Sequence, residues 1–88
     1  MDKKPCSLYI LYSESLNRHY IGTSDNPRIR VKYHNSFPKG WTRRGRPWEL
    51  VFFKEFPSKQ IAQRWERWLK KQKSRTLIEK IIRGDFQW

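Results

Sequence analysis

Apolar side chains crowd the stretch Ser7-Leu8-Tyr9-Ile10-Leu11-Tyr12-Ser13, where β-branched and aromatic residues predict a strand. The largely polar run Glu14-Ser15-Leu16-Asn17 interrupts it. Arg18-His19-Tyr20-Ile21-Gly22-Thr23 then has the composition of a return strand, and so short a spacer predicts an antiparallel hairpin. With 14–17 as the loop, Ser13 faces Arg18, Leu11 faces Tyr20 and Tyr9 faces Gly22. Side chains alternate across a strand. Tyr9, Leu11 and Tyr20 therefore share one face, and Leu8, Ile10 and Ile21 share the other.

Beyond the hairpin the pattern changes period. Asp25-Asn26-Pro27 predicts a helix start, with Asn26 as cap and Pro27 in the first turn, running to about Ser36. Phe37-Pro38-Lys39-Gly40 breaks it, and a basic loop follows through Pro47. Trp48 to Phe56 (WELVFFKEF) is predicted as the third strand, apolar enough to be central and able to pair in either direction. Ser58 caps a second helix whose apolar positions Ile61, Trp65, Trp68 and Leu69 fall at i, i+4, i+7 and i+8. Ser74 caps a third, carrying Leu77, Ile78, Ile81 and Ile82, with Gly84 as its stop. The order β-β-α-β-α-α predicts an α+β fold, a three-stranded sheet flanked by three helices. It fills one domain over residues 1–88, with a core from about 7 to 83.

Charge adds a partner to this picture. Lys and Arg number 20 against 8 Asp and Glu, a formal net charge of +12, which favours a polyanion. Five Trp, four Tyr and five Phe are too many for a disordered basic tail. No apolar run approaches the ~20 residues of a membrane span, so no membrane partner is expected, and Leu8 to Tyr12 is too short for a secretory leader. The single Cys6 permits no internal disulfide and no cysteine zinc cluster, and fits a reducing compartment. Between Asp25 and Glu49 there is no acidic residue, while Arg28, Arg30, Lys32, Lys39, Arg43, Arg44 and Arg46 occur with Trp41 and Trp48 among them. Cations interleaved with stacking surfaces predict nucleic-acid binding. Lys70, Lys71, Lys73 and Arg75 form a second basic patch.

Three groups of residues have candidate chemistry. Tyr9 and Tyr20 are diagonal neighbours, roughly 7–8 Å apart between backbones, and Gly22 leaves a gap beside them. Ordinary strand packing accounts for such a pair equally well. Arg30 and His34 stand at i, i+4 on one helix face, with Ile29 and Tyr33 on another. They suit phosphate recognition and proton handling, or are simply a solvated Arg and a surface His. Glu66 sits some 40° beyond Ala62 on the helical wheel, at the border of the buried stripe. A lone carboxylate holds Mg²⁺ when phosphate and waters complete the shell, but Arg64, Arg67 and Lys70 are all available to pair with it.

Leu8-Tyr9-Ile10, followed by Tyr20-Ile21-Gly22 eleven residues after Tyr9, resembles the paired motif of the GIY-YIG nuclease superfamily, in its small single-domain bacterial branch. Arg30, His34 and Glu66 fall where that family places a catalytic arginine, a frequent histidine and the metal-binding glutamate. The stretch Gly45-Arg46-Pro47-Trp48-Glu49-Leu50-Val51 is similar to the same branch, and the likeness runs from residue 7 to about 83. The resemblance implies an endonuclease that hydrolyses phosphodiester bonds, in DNA rather than RNA, with little intrinsic sequence specificity. It implies one divalent cation, Mg²⁺ or Mn²⁺, on Glu66, a phosphate contact from Arg30, and an attacking water positioned by Tyr9 and Tyr20 with His34 assisting. Arg28, Lys32, Lys39, Trp41, Arg43, Arg44, Arg46, Lys70 and Lys71 are the expected nucleic-acid contacts. A protein partner supplying specificity and a bacterial cytoplasmic location are further expectations. The alternative is a catalytically weak or inactive nucleic-acid-binding module, or an adaptor of a repair or recombination complex. This chain departs from the family pattern in lacking the leading glycine of the first motif, in having Thr23 after the second, and in having no Asn beyond Asn35.

Overall fold

The computed structural model describes residues 4–36 and 41–88, with Trp41 and Thr42 described by their backbone alone. The hairpin forms as its pattern predicts. β1 (Cys6–Ser13) and β2 (Arg18–Ser24) pair antiparallel with Ser13 opposite Arg18, Leu11 opposite Tyr20 and Tyr9 opposite Gly22. In the turn between them, Asn17 adopts a left-handed φ of 52°, which Asn tolerates better than most residues, and its N–H closes on Glu14 O at 3.3 Å.

The helices start where their caps predict. α1 (Pro27–Ser36) opens with Asn26 Oδ1 accepting from Ile29 N at 3.3 Å. α2 (Lys59–Gln72) opens with Ser58 Oγ accepting from Ile61 N at 3.3 Å. α3 (Arg75–Arg83) opens with Ser74 Oγ accepting from Leu77 N at 3.1 Å. It stops at Gly84, whose φ of 85° lets the chain close back on Ile81 O and Lys80 O. A 3₁₀ turn spans Trp41–Gly45, within the segment predicted as a basic loop, and the predicted break at 37–40 lies outside the described residues.

One strand sits elsewhere than expected. β3 (Trp48–Phe56) is at an edge of the sheet, antiparallel to β1, in the order β2-β1-β3. The central strand is β1, because it alone is buried along almost its whole length, whereas β3 alternates with exposed Glu49, Phe53 and Glu55. Its ladder steps by one residue between Ile10 and Leu11, so Val51 bulges out of register.

The sheet separates two clusters. On one face Leu8, Ile10, Ile21 and Phe56 meet Ala62, Leu69 and Ile81 of α2 and α3. Phe86 and Trp88 join this layer, Trp88 lying 5.1 Å from Trp65 between ring centres, so the packed core continues beyond the expected boundary at 83. On the other face Tyr9, Leu11 and Trp48 meet Tyr20, Val31 and Leu50. Each fully buried Leu or Ile contributes on the order of 1.5–3 kcal/mol.

Candidate active site

Tyr9 is 1% exposed, at the centre of the sheet on the α1 face. Its phenol lies across the neighbouring strand: a Cβ added to Gly22 would stand 2.5 Å from the Tyr9 hydroxyl and 2.6 Å from Cζ. The gap that glycine leaves is thus filled by Tyr9 itself. Beyond Gly22 the hydroxyl reaches His34 Nε2 at 3.0 Å. His34 is buried, at 5% exposure, and so is no surface histidine. Tyr20 completes a three-ring cluster, its centroid 4.7 Å from His34 and 6.2 Å from Tyr9.

Burial sets the protonation of this cluster. It pushes the Tyr9 hydroxyl up to about 12, reinforced by Tyr20 and opposed by the hydrogen bond and charge of Arg30. It lowers His34 below the usual histidine value, with the Arg30 cation adding to the effect. Tyr9 and His34 therefore meet as a neutral pair at pH 7. With Nε2 unprotonated, Tyr9 donates and His34 accepts.

His34 is held in place by its neighbours. Asn35 Nδ2 donates to Trp48 O at 3.0 Å while Trp48 N donates to Asn35 Oδ1 at 2.6 Å. The amide thus ties the end of α1 to the first residue of β3. Arg46 Nε donates to His34 O at 3.4 Å from the other side. Asn35 was legible only as a residue adjoining His34; its partner lies in another element.

Glu66 reaches the site around the outer edge of β2. Thr23 and the α2 helix lie on the sheet face opposite Tyr20, and Thr23 Oγ1 donates to Glu66 Oε1 at 3.2 Å. Lys70 Nζ holds Oε2 at 2.6 Å and stands 5.8 Å from the centre of the Tyr20 ring. Lys70 therefore links the carboxylate on one face with the aromatic cluster on the other. Arg30 is exposed on α1, its guanidinium 4.6 Å from the centre of the Tyr33 ring. It borders a cleft of about 430 Å³ together with Thr23, Lys59 and Lys4.

A family model for the GIY-YIG catalytic domain matches residues 5–80. The chain belongs to the GIY-YIG family. The solution NMR structure of the UPF0213 protein BH0048 from Bacillus halodurans is 33% identical, with a TM-score of 0.53, over 89% of this chain and 82% of that one. The protein named structure-specific endonuclease subunit SLX1 in Cryptococcus neoformans is 39% identical over 87 residues, 90% of this chain but 17% of its own length. The rat protein of the same name is 38% identical over 79 residues, covering 80% of this chain and 29% of its own length. This GIY-YIG chain thus spans less than a third of either curated relative.

The donor set of this GIY-YIG site fits one weakly chelated hard cation. Among the described residues no group of three His, Cys, Asp or Glu is arranged around a metal. A single carboxylate is nonetheless the ordinary protein share of a Mg²⁺ site that substrate phosphate and water complete. The basic surface is divided. Arg28, Lys32, Arg43, Arg44 and Lys71 are exposed, whereas Arg46 is half-buried with Nη2 inside the fold, so it braces His34 and does not extend like its neighbours. Trp48 is 3% exposed and offers no stacking surface, because its ring packs in the Tyr9 cluster. Lys39 lies outside the described residues, and Trp41 begins the 3₁₀ turn.

Proposed function

We propose that this chain is a divalent-metal-dependent endonuclease that hydrolyses phosphodiester bonds in nucleic acid, DNA ahead of RNA, with little sequence preference of its own. The observation that carries the reading is the meeting of Tyr9, Tyr20 and His34 at the β2 edge that Glu66 also approaches, beside a surface rich in exposed cations. Glu66 is the residue that would hold the cation, Mg²⁺ or Mn²⁺, which supplies Lewis acidity at the scissile phosphate when bound. Arg30 binds the same phosphate and offsets its developing charge.

Water adds to phosphorus and gives up a proton, the P–O3′ bond breaks, and the 3′ oxygen leaves and takes up a proton from bulk water. With its hydroxyl pushed up to about 12, Tyr9 carries little phenolate at neutral pH. In this reading it takes the proton of the attacking water while passing its own to His34 Nε2, and Tyr20 orients that water from the open side of the cluster. Arg28, Lys32, Lys39, Trp41, Arg43, Arg44, Lys70 and Lys71 contact the backbone of the substrate, which is positioned by its phosphates and not by base readout. The relatives named above are called subunits, and in this reading a protein partner supplies target choice.

The second reading, a nucleic-acid-binding module or adaptor without cleavage, draws on the engagement of both Glu66 oxygens by Thr23 and Lys70. One assay separates them. Labelled single-stranded, duplex, flap and branched DNA, with RNA alongside, are incubated with Mg²⁺, Mn²⁺ or EDTA and either the wild type or Glu66→Ala. Cleavage that needs metal and disappears in the variant is expected. Salt-sensitive binding without cutting under any condition would hand the case to the binding module.

A further inference from the structure

A groove of about 560 Å³ runs between β2 and the corner where α2 gives way to α3. Arg18 and His19 line it from the strand, Lys70 from α2, Lys73 from the junction after that helix, and Ile78 from α3, while Tyr20 forms the end nearest the Tyr9–Tyr20–His34 cluster. We infer that this groove binds an unpaired strand of nucleic acid, one or two nucleotides long, running into the site past Tyr20. The inference rests on the nucleic-acid reading above but not on cleavage.

Charge is the first support. Arg18 and Lys73 are both exposed, and among the described residues neither has an ion-pair partner. The first turn of α3, which opens at the groove, contains no acidic residue to cancel the positive end of that helix. A polyanion backbone is the ligand such a wall favours.

The lining chemistry is the second. Tyr20 and His19, consecutive on the edge strand β2 and so on opposite faces of the sheet, present half-buried rings on the two sides of that edge, and His19 is backed by Tyr12 at 5.0 Å between centres. Cations above aromatic and aliphatic groups form the platform on which unpaired bases stack, whatever their sequence. The volume is that of a small-molecule pocket, about 300–1,000 Å³, and suits a nucleotide or two and not the width of a duplex.

The third is bracing. Arg75 donates to Asn17 O at 3.1 Å and to Asn17 Oδ1 at 2.6 Å, fastening the hairpin turn to the start of α3 across 58 residues of chain. The groove is therefore built in advance of any ligand. Lys70 and Tyr20 belong both to it and to the active-site cluster, so a strand lying in it is led toward the reacting position.

The test is fluorescence anisotropy in EDTA, with a fluorescein-labelled short oligothymidylate and a blunt duplex as probes. Wild type is compared with the Arg18→Ala/Lys73→Ala double variant and with His19→Ala, each checked for an unchanged melting temperature. The double variant is expected to bind the oligothymidylate about tenfold more weakly, with a salt slope reduced by about 1.4, while duplex affinity stays within about twofold. His19→Ala should lose oligothymidylate affinity without changing the slope. Equal losses on both probes, or no loss on either, overturn the assignment. A wild type that binds neither probe overturns the nucleic-acid reading as well. Loss of cleavage evidence alone would leave the groove result standing, because no metal is present in this measurement.

Discussion

On the α2–α3 side of the sheet, Leu8, Ile10 and Ile21 meet Ala62, Leu69 and Ile81 in an apolar layer. On the α1 side, the alternate residues of the same strand are Tyr9, Leu11 and Ser13, and what they meet includes a buried histidine. The first face follows the rule for a small core, in which buried apolar area opposes chain entropy. The second buries hydroxyls and an imidazole that need partners, and supplies them through Tyr9 to His34 and Asn35 to Trp48. In 88 residues one face is given to apolar packing and the other spends part of its area on hydrogen-bonded polar groups.

Substitutions on each face should separate the two roles. Leu8→Ala opens a cavity in the apolar layer and should cost about 2–5 kcal/mol in chemical denaturation, with activity of the remaining folded protein unchanged. Arg30→Ala, on the exposed side of α1, should do the reverse: cleavage slower by about 10²–10³ with an unaltered melting curve. A matching loss of stability would move Arg30 into the structural class. Gly22→Ala sets a methyl against the Tyr9 ring and should lose about 1–3 kcal/mol, part of which Tyr9→Leu should restore in the double variant. Simple additivity of those two changes would show that the ring has another way to move.

The smallest effects are those of pH. An unfolded His34 takes up its proton near 6.5 and the folded one at lower pH, so stability is complete above about 6.5 and erodes on acidification until the folded ring also charges. Tyr9 gives the opposite limb. Its folded value of about 12 exceeds the unfolded 10.0, so its contribution is intact below pH 10 and is lost as pH rises toward 12. Denaturation midpoints measured across pH for wild type and Tyr9→Phe should lose that alkaline limb in the variant.

Local rules carried most of the fold. Asn26, Ser58 and Ser74 cap the helices they predict, and the polar turn sets the hairpin register that brings Tyr9 opposite Gly22. Features that depend on a distant element were not legible. The apolar run of β3 suggested a central place, but rank in a sheet depends on what covers each side, and β1 is the strand with neighbours on both. His34 stood among charged residues, and its burial comes from Tyr9, 25 residues away across the sheet. Trp48 looked like a stacking surface until Asn35 and the Tyr9 cluster fixed it inside. The helical wheel put Glu66 at a border, while its approach to the Tyr9–Tyr20–His34 cluster needed α2 to pass the free edge of β2.

The contact between Tyr9 and Gly22 also imposes an order on how this site can change over evolutionary time. If the ring at position 9 shrinks first, the three nearest obstacles to a Cβ at 22, all atoms of that ring, are removed. The opposite order is penalised by the hydroxyl, 2.5 Å from where that Cβ would stand. A lineage that has taken the open path regains the tyrosine at that same steric cost unless the glycine returns before it. The pair thus biases the order of change, since a side chain at 22 narrows the place that the phenol occupies.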